Sequence, residues 1–368
     1  MKKILSIFLV LILATTMLIG CSKEQTTSNT PSTGNNSSQN ETPTNETPAN
    51  DTSIAKIGLG HITSIKSSKD KTADTNAVGQ VDTVIAAVAF DKDGKVVKVT
   101  IDNAQTKVNF DENLQLASDV NAEYKTKVEL GSEYGMIKNS KIGKEWYEQI
   151  AELEKWMIGK TVDEIKAMKT KKVDDSHPAV PDVAELTSLV TITVQDYIAA
   201  VEEAYNNAMD INPGAVKLGL GHKISIAKSK GYSNADGKET LPTAQVDTVM
   251  VVSAFDANDK VVAAIIDTAQ TKVEFDKEGK VTTDKAGEFK TKVELGAAYG
   301  MAKASSIGKE WFEQAKALAD WMAGKSVDEI KNMKTKDGVP SEADLTSSVT
   351  ISVQDYIAGL AEAFENAK

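Results

Sequence analysis

Two hydroxyl-rich stretches with similar sequences, residues 185–197 and 344–356, contain the residues best suited to chemistry in this chain. In each stretch a polar turn leads into apolar residues at helical spacing, and Thr193-x-x-Asp196 and Ser352-x-x-Asp355 have the spacing of a capping box. A hydroxyl cluster at a helix N-terminus can bind a phosphate, because free backbone amides and the helix dipole favour an anion there. The same hydroxyls can instead cap the helix and have no other role.

The order of residues in both stretches resembles the flavinylation motif of the FMN-binding domain family, which reads acid, two spacers, Ser or Thr, Gly, Ala and Thr. Each stretch has the acid, the first hydroxyl and the final threonine of that motif: Asp344, Ser347 and Thr350 in the second, and Glu185, Ser188 and Thr191 in the first. The family includes flavin subunits of membrane electron-transport complexes and tandem-domain extracellular flavin lipoproteins of Gram-positive bacteria. The resemblance implies an α+β fold and FMN as a cofactor, joined through a phosphoester to the final threonine.

The two positions between the hydroxyls differ from the family motif. Ser348 and Val349 replace Gly and Ala in the second stretch, and Leu189 and Val190 replace them in the first. Glycine permits a close approach of backbone and ligand, and the larger side chains add bulk beside the hydroxyl that a flavin transferase must reach. Thr350 is the better match, because an aspartate and a small serine precede it. Two interpretations stay open, a covalently bound flavin and the same fold without one.

Other polar residues are better explained by structure than by chemistry. Residues 102–107 and 267–272 are polar clusters that predict turns at the ends of strands, although amide, hydroxyl and ammonium groups can also contact a phosphate or a flavin. His61 and His222 are the one repeated histidine of each copy, with no second ligand at metal spacing, and His177 occurs in one copy only. We expect structural or surface roles for these histidines and no metal site. The four tryptophans lie in helical stripes that predict core packing: Trp146, Trp156, Trp311 and Trp321.

The N-terminal residues predict export and lipid attachment. A basic start and a short apolar run precede Cys21, which is the only cysteine and follows a lipobox-like Leu-Ile-Gly. We therefore expect residues 1–21 to be a lipoprotein signal peptide with its lipobox, and Cys21 to carry the lipid anchor. Residues 22–53 are rich in Ser, Thr, Asn and Pro and predict a disordered tether with an average span of roughly 30 Å.

The remaining chain contains a duplication, which predicts one repeat in residues 54–210 and another in residues 211–368. Gly58-Leu59-Gly60-His61 recurs as Gly219-Leu220-Gly221-His222, and the β-branched runs of 81–101 recur in 246–266. Helical patterns follow the strand patterns in both copies without βαβ alternation. The expected fold is α+β, with two tandem repeats that are each an antiparallel sheet followed by helices.

Composition limits the possible partners. The chain has 53 acidic and 42 basic residues and a net charge of −11, which argues against binding nucleic acid. Neither a nucleophile elbow nor a Walker or dinucleotide motif is present, so the sequence favours an electron carrier or binding protein over a catalytic enzyme.

We expect a lipoprotein on the extracellular face of the cell membrane, attached to lipid through Cys21. A flavin transferase and a membrane electron donor are its expected partners, and the alternative is a surface binding or structural module without flavin.

Overall fold

The computed structural model describes residues 53–368. Cys21, the predicted signal peptide and all but the last residue of the predicted tether lie outside that range. Within residues 53–368, none of the helices is long and apolar enough to span a membrane.

The first half of the described chain begins with three long strands and ends with helices. Its strands are β1 (Lys56–Ser64), β2 (Val78–Phe90), β3 (Val96–Asn109), β4 (Thr170–Lys171), β5 (Val180–Pro181) and β6 (Met209–Asp210). Its helices are α1 (Lys127–Leu130), α2 (Trp146–Met157), α3 (Val162–Lys166) and α4 (Gln195–Asn206), with 3₁₀ turns at Gly131–Tyr134 and Met136–Lys138.

The second half has the same order of long strands and helices. Its strands are β7 (Ala215–Ser225), β8 (Ser233–Ala235), β9 (Lys238–Thr240), β10 (Thr243–Asp256), β11 (Val261–Glu274), β12 (Thr335–Lys336) and β13 (Val339–Pro340). Its helices are α5 (Lys292–Leu295), α6 (Trp311–Met322), α7 (Val327–Lys331) and α8 (Gln354–Glu365), with a 3₁₀ turn at Gly296–Tyr299.

Both large sheets are antiparallel, with strand orders β3-β2-β1-β6 and β11-β10-β7. The α+β class with antiparallel sheets predicted from the sequence is therefore confirmed. The predicted hairpins between β2 and β3 and between β10 and β11 are present, and the strands are longer than the apolar runs that predicted them.

The central strands are apolar on both faces because each large sheet is covered on both sides. In β2, Val84, Ala86 and Val88 face a core formed with α2, α3 and α4. The alternate residues Ile85 and Ala87 face the second half of the chain and share a core with its strands. The two sheets thus lie between two outer layers of helices.

The face of each sheet that points away from the helices packs against the other half of the chain. Beyond the core around Ile85, another cluster combines residues of both halves, and in it the rings of Phe110 and Phe275 meet edge to face with centroids 5.2 Å apart. The described residues, 53–368, belong to one compact unit. The boundary at residue 210 between two domains stays a prediction.

The repeated Gly-Leu-Gly-His sequence brings a helix against a strand. A Cβ atom on Gly58 would lie 1.8 Å from the carbonyl oxygen of Ala204 in α4, and one on Gly219 would lie 1.7 Å from that of Ala363 in α8. Only glycine allows this approach of helix backbone to strand backbone. Because strand side chains alternate, Leu59 and His61 point to the opposite face, toward the other half.

The capping boxes predicted from the sequence have two different outcomes. The capping boxes at Thr161 and Ser326 are confirmed, since each hydroxyl accepts from the backbone amide three residues on. The capping boxes at Thr193 and Ser352 are wrong. The closing helices begin one residue later, after Val194 and Val353, with no side-chain cap. The amides of these valines donate to the carbonyls of Ala179 and Gly338 in the preceding hairpins.

The prediction of strand-end turns at residues 102–107 and 267–272 is also wrong. Both segments lie inside the long strands β3 and β11, and Asp102 and Asp267 are buried there. Each carboxylate accepts backbone hydrogen bonds, from Asn103 and Val128 to Asp102 and from the equivalent residues to Asp267. These bonds satisfy a polar group that the sequence pattern alone assigns to a turn.

Candidate functional site

The motif threonines follow a compact turn that the core holds in place. In the first half, Leu186 and Val190 are buried, and the Val190 amide donates to the Leu186 carbonyl at 2.8 Å. Leu345 and Val349 form the same turn in the second half. Thr191 and Thr350 come next and are half-buried. The residues that replace Ala of the family motif are therefore core residues of the turn.

A buried glutamine fixes the position of Thr191. Gln149 of α2 is 0% exposed, and its Oε1 accepts hydrogen bonds from the Thr191 amide at 2.8 Å and from the Thr191 hydroxyl at 3.3 Å. Its amide nitrogen donates to the Lys144 carbonyl at 3.3 Å and to Ser140 Oγ at 3.4 Å. The side chain therefore links the motif turn to the segment before α2.

The second half repeats this arrangement with Gln314, which is also 0% exposed. Its Oε1 accepts from the Thr350 amide at 2.8 Å and the Thr350 hydroxyl at 3.2 Å, and its amide nitrogen donates to the Lys309 carbonyl and Ser305 Oγ. The sequence did contain a signal for these glutamines. Each lies three residues after a core tryptophan, on the apolar face of its helix, where a polar residue needs a buried partner.

The other motif residues lie apart from the threonines. Glu185, Ser188 and Ser347 are exposed, and Asp344 accepts a hydrogen bond from the Trp321 indole at 2.9 Å. Among the hydrogen bonds of the described residues, none joins Glu185 or Ser188 to Thr191. The structure thus pairs each motif threonine with a glutamine rather than with the motif acid.

A cavity of about 300 Å³ lies against Thr191. Three segments of the first half form its walls: the motif turn, the segment before α2 and the hairpin of β4 and β5. Its lining residues are Met136, Asn139, Ser140, Lys141, Lys171, Val173, Asp174, His177, Val180, Pro181, Thr187, Thr191 and Ile192. This volume is at the lower end of the range for small-molecule sites.

The cavity wall combines cationic and apolar side chains. Lys141 is exposed, and Lys171 forms an ion pair with Asp182 at 2.9 Å. His177 Nδ1 lies 2.8 Å from Asp174 Oδ1, and the hydrogen bond from this histidine holds the pKa of Asp174 below its usual value. His177, for which we expected a structural or surface role, is half-buried at this wall. Such a wall suits a ligand with both an anionic group and an apolar ring.

The second half differs in the residues equivalent to this wall. The loop between β12 and β13 comprises only residues 337–338, whereas residues 172–179 connect β4 and β5. The second half therefore has no counterpart of Val173, Asp174 and His177. Ser306 and Ala304 also stand where the first half has Lys141 and Asn139.

The tryptophans and the repeated histidines lie in the interior. Trp146 and Trp311 are buried, and their indoles donate to the hydroxyls of Tyr197 and Tyr356 at 2.9 and 3.1 Å. Trp156 and Trp321 are half-buried beneath lysines. Core packing is thus confirmed for Trp146 and Trp311. His61 and His222 are also buried, so of the structural and surface roles expected for them, their location fits the structural one.

Comparison of the chain with protein-family models, with curated proteins and with solved structures found no match. The resemblance to the FMN-binding domain family therefore depends on the motif residues of the two hydroxyl-rich stretches.

Proposed function

We propose that this chain is a lipoprotein of the extracellular membrane face that binds FMN at Thr191 and acts as an electron carrier. The observation that carries the proposal is the cavity of about 300 Å³ that a motif threonine lines. Cys21 provides the membrane anchor, and a membrane electron donor is the expected redox partner. FMN, when bound, supplies one- and two-electron chemistry that protein side chains lack.

The cavity residues suit the parts of FMN. Lys141, Lys171 and His177 supply positive charge or hydrogen-bond donors for a phosphate, and Met136 and Ile192 supply apolar surface for a ring. Gln149 fixes the backbone of Thr191 and keeps its hydroxyl at the wall. Thr191 is half-buried and lines the cavity, so its hydroxyl is within reach of a ligand there.

Covalent attachment requires an activated flavin. A flavin transferase that uses a flavin dinucleotide would form the bond between Thr191 Oγ1 and phosphorus, break the P–O–P bond and release a nucleoside monophosphate. The proton of the threonine hydroxyl leaves to a base of the transferase. Thr350 is the second candidate acceptor, since Gln314 holds it in the same way and its motif is closer to that of the family.

One observation favours an alternative function, a surface binding module without covalent flavin. Val190 and Val349 are fully buried where the family motif has Ala, and Leu189 is half-buried against the same core where the motif has Gly. These side chains fix the turn, so a transferase has less freedom to open it around the hydroxyl. In that case the cavity would bind its ligand reversibly.

The test is the intact mass of the full chain, exported from a host with a flavin transferase and compared with the same chain made without the transferase. We expect a mass increase of one attached FMN, lost in Thr191→Ala and kept in Thr350→Ala. Thr187→Ala is the matched control, because Thr187 lines the same cavity but its hydroxyl donates to the Val183 carbonyl.

The alternative gives a different result. An unmodified mass together with saturable quenching of free FMN fluorescence, weakened by Lys141→Ala and Lys171→Ala, would show reversible binding at the cavity. An unmodified mass with no response to free FMN would contradict the flavin proposal in both forms.

A further inference from the structure

His61 of β1 lies in a cluster of carboxylates between the two halves of the chain. Its Nε2 is 2.8 Å from Glu294 Oε2 and 3.7 Å from Glu203 Oε1. Glu203 belongs to α4 of the first half, and Glu294 belongs to α5 of the second half. We call these three residues the His61 cluster.

His222 of β7 lies in an equivalent cluster with the roles of the halves exchanged. Its Nδ1 is 3.0 Å from Glu362 Oε1 of α8 and 3.9 Å from Glu129 Oε2 of α1. Glu362 Oε1 is buried, and apart from His222 no residue of the described chain donates a hydrogen bond to it. We call these residues the His222 cluster.

In each cluster three potential ligand atoms converge, one from each residue. The imidazole nitrogen and the two carboxylate oxygens all lie within 4.8 Å of one another. Ligands of one ion at about 2.1 Å are about 3.4 Å apart in tetrahedral geometry, so two ligand atoms must approach each other by at most about 1.4 Å. The glutamate side chains are 23–31% exposed, which gives them room to move and an ion a path of entry.

The charge around each histidine is unbalanced. Asp102 lies 3.3 Å from His222 Nε2, and Asp267 is the corresponding buried carboxylate near His61. Each imidazole therefore has three carboxylates around it, and the nearby cation Lys292 interacts electrostatically with one of the six, Asp267. Excess negative charge in such partly buried clusters is costly unless a cation compensates it.

The hydrogen bonds of the rings leave one nitrogen of each imidazole facing the glutamates. His222 Nε2 can donate to Asp102 Oδ2, whose Oδ1 is held by two backbone amides. That is the carboxylate–histidine arrangement that orients metal-binding histidines. In the His61 cluster the ring nitrogen Nδ1 lies 3.3 Å from Thr63 Oγ1, and Nε2 faces the glutamates.

We propose that the His61 cluster and the His222 cluster are two binding sites for a divalent first-row transition metal, each with one imidazole and two glutamates as ligands. One nitrogen and two hard oxygens suit Zn²⁺ or Mn²⁺ better than Mg²⁺ or Ca²⁺, which prefer oxygen ligands alone. Because every site takes ligands from both halves, bound metal would link them. The proposal is independent of flavin binding, since the cavity beside Thr191 shares no residue with either cluster.

The test is a calorimetric titration of Zn²⁺ into the purified, metal-free full chain. We expect two ions per chain, one ion in Glu203→Gln and in Glu362→Gln, and none in the double variant. Glu365→Gln is the matched control, because it removes an exposed carboxylate from the same helix as Glu362. Circular dichroism of the double variant checks that it folds.

A thermal melt gives an independent reading of the same sites. Zn²⁺ at about a hundred times its dissociation constant should raise the melting temperature of the wild type and of Glu365→Gln by roughly 5 °C, and leave the double variant unchanged. Absence of any Zn²⁺ or Mn²⁺ binding by the wild type would overturn the proposal, because the clusters would then be buried ion pairs only. Binding that persists in a folded double variant would overturn it as well, since the metal would lie elsewhere.

Discussion

Replacing Gln149 by leucine tests the anchoring of the motif threonine. Leucine has a similar volume but no polar atoms, so it removes the acceptor for the Thr191 amide and hydroxyl and the donor to the Lys144 carbonyl. Thr191 is half-buried, so its hydroxyl can turn to water, whereas the Thr191 amide and the Lys144 carbonyl each lose a hydrogen-bond partner. At about 1–3 kcal/mol for each buried group left unsatisfied, we expect a loss of about 2–4 kcal/mol in the free energy of unfolding.

The assay is urea unfolding of the wild type, Gln149→Leu and Gln314→Leu. Gln314 makes the same four hydrogen bonds at 2.8–3.3 Å in the second half, so both variants should lose similar stability with an unchanged m value. Only Gln149→Leu should also reduce flavin attachment at Thr191. A loss below about 0.5 kcal/mol in both variants would refute the anchoring role, because buried groups left without partners cost more than that.

Three further predictions concern stability. Gly219→Ala places a Cβ 1.7 Å from the Ala363 carbonyl and should cost about 3 kcal/mol or more in urea unfolding, since α8 must move away; an unchanged midpoint would contradict the close approach. Thr161→Ala and Ser326→Ala each remove a capping box and should cost about 1 kcal/mol in the same assay, and a change below a few tenths would count against the caps. In the metal-free protein, burial opposes the charged form of His222, but hydrogen bonds with Asp102 and Glu362 raise its pKa to about 10. Its contribution to stability is therefore complete below about pH 6.5, and the free energy of unfolding should fall between pH 6.5 and 10 more steeply than in His222→Gln; parallel pH profiles would contradict the charged pair.

Much of the fold was predictable from local sequence patterns. The alternating and β-branched runs predicted the two hairpins. The apolar stripes that start at Ile142 and Ile307 predicted α2 and α6, which begin four residues later, at Trp146 and Trp311. The Thr161 and Ser326 capping boxes were readable because all of their partners lie within one helical turn. The cap at Thr193 failed because the helix begins one residue later, after Val194, whose amide donates to the Ala179 carbonyl of a hairpin that sequence spacing does not place.

The sites depend on contacts between distant segments. His61 is 142 residues from Glu203 and 233 from Glu294, so no spacing rule brings them together. Asp102 looked like a turn residue because the backbone amide of Val128, which helps to satisfy it, comes from another segment. The cavity beside Thr191 depends on the loop between β4 and β5, and the sequence shows only that residues 175–180 have no counterpart in the second copy.

The most direct measurement of the central claim is the location of flavin on the protein made with a flavin transferase. Tryptic cleavage separates the two candidates, because Thr191 lies in the peptide of residues 173–217 and Thr350 in that of residues 337–368. We predict that tandem mass spectrometry finds FMN on Thr191 in the first peptide. Flavin on the second peptide alone, or on neither, would contradict the assignment of the cavity beside Thr191 as the flavin site.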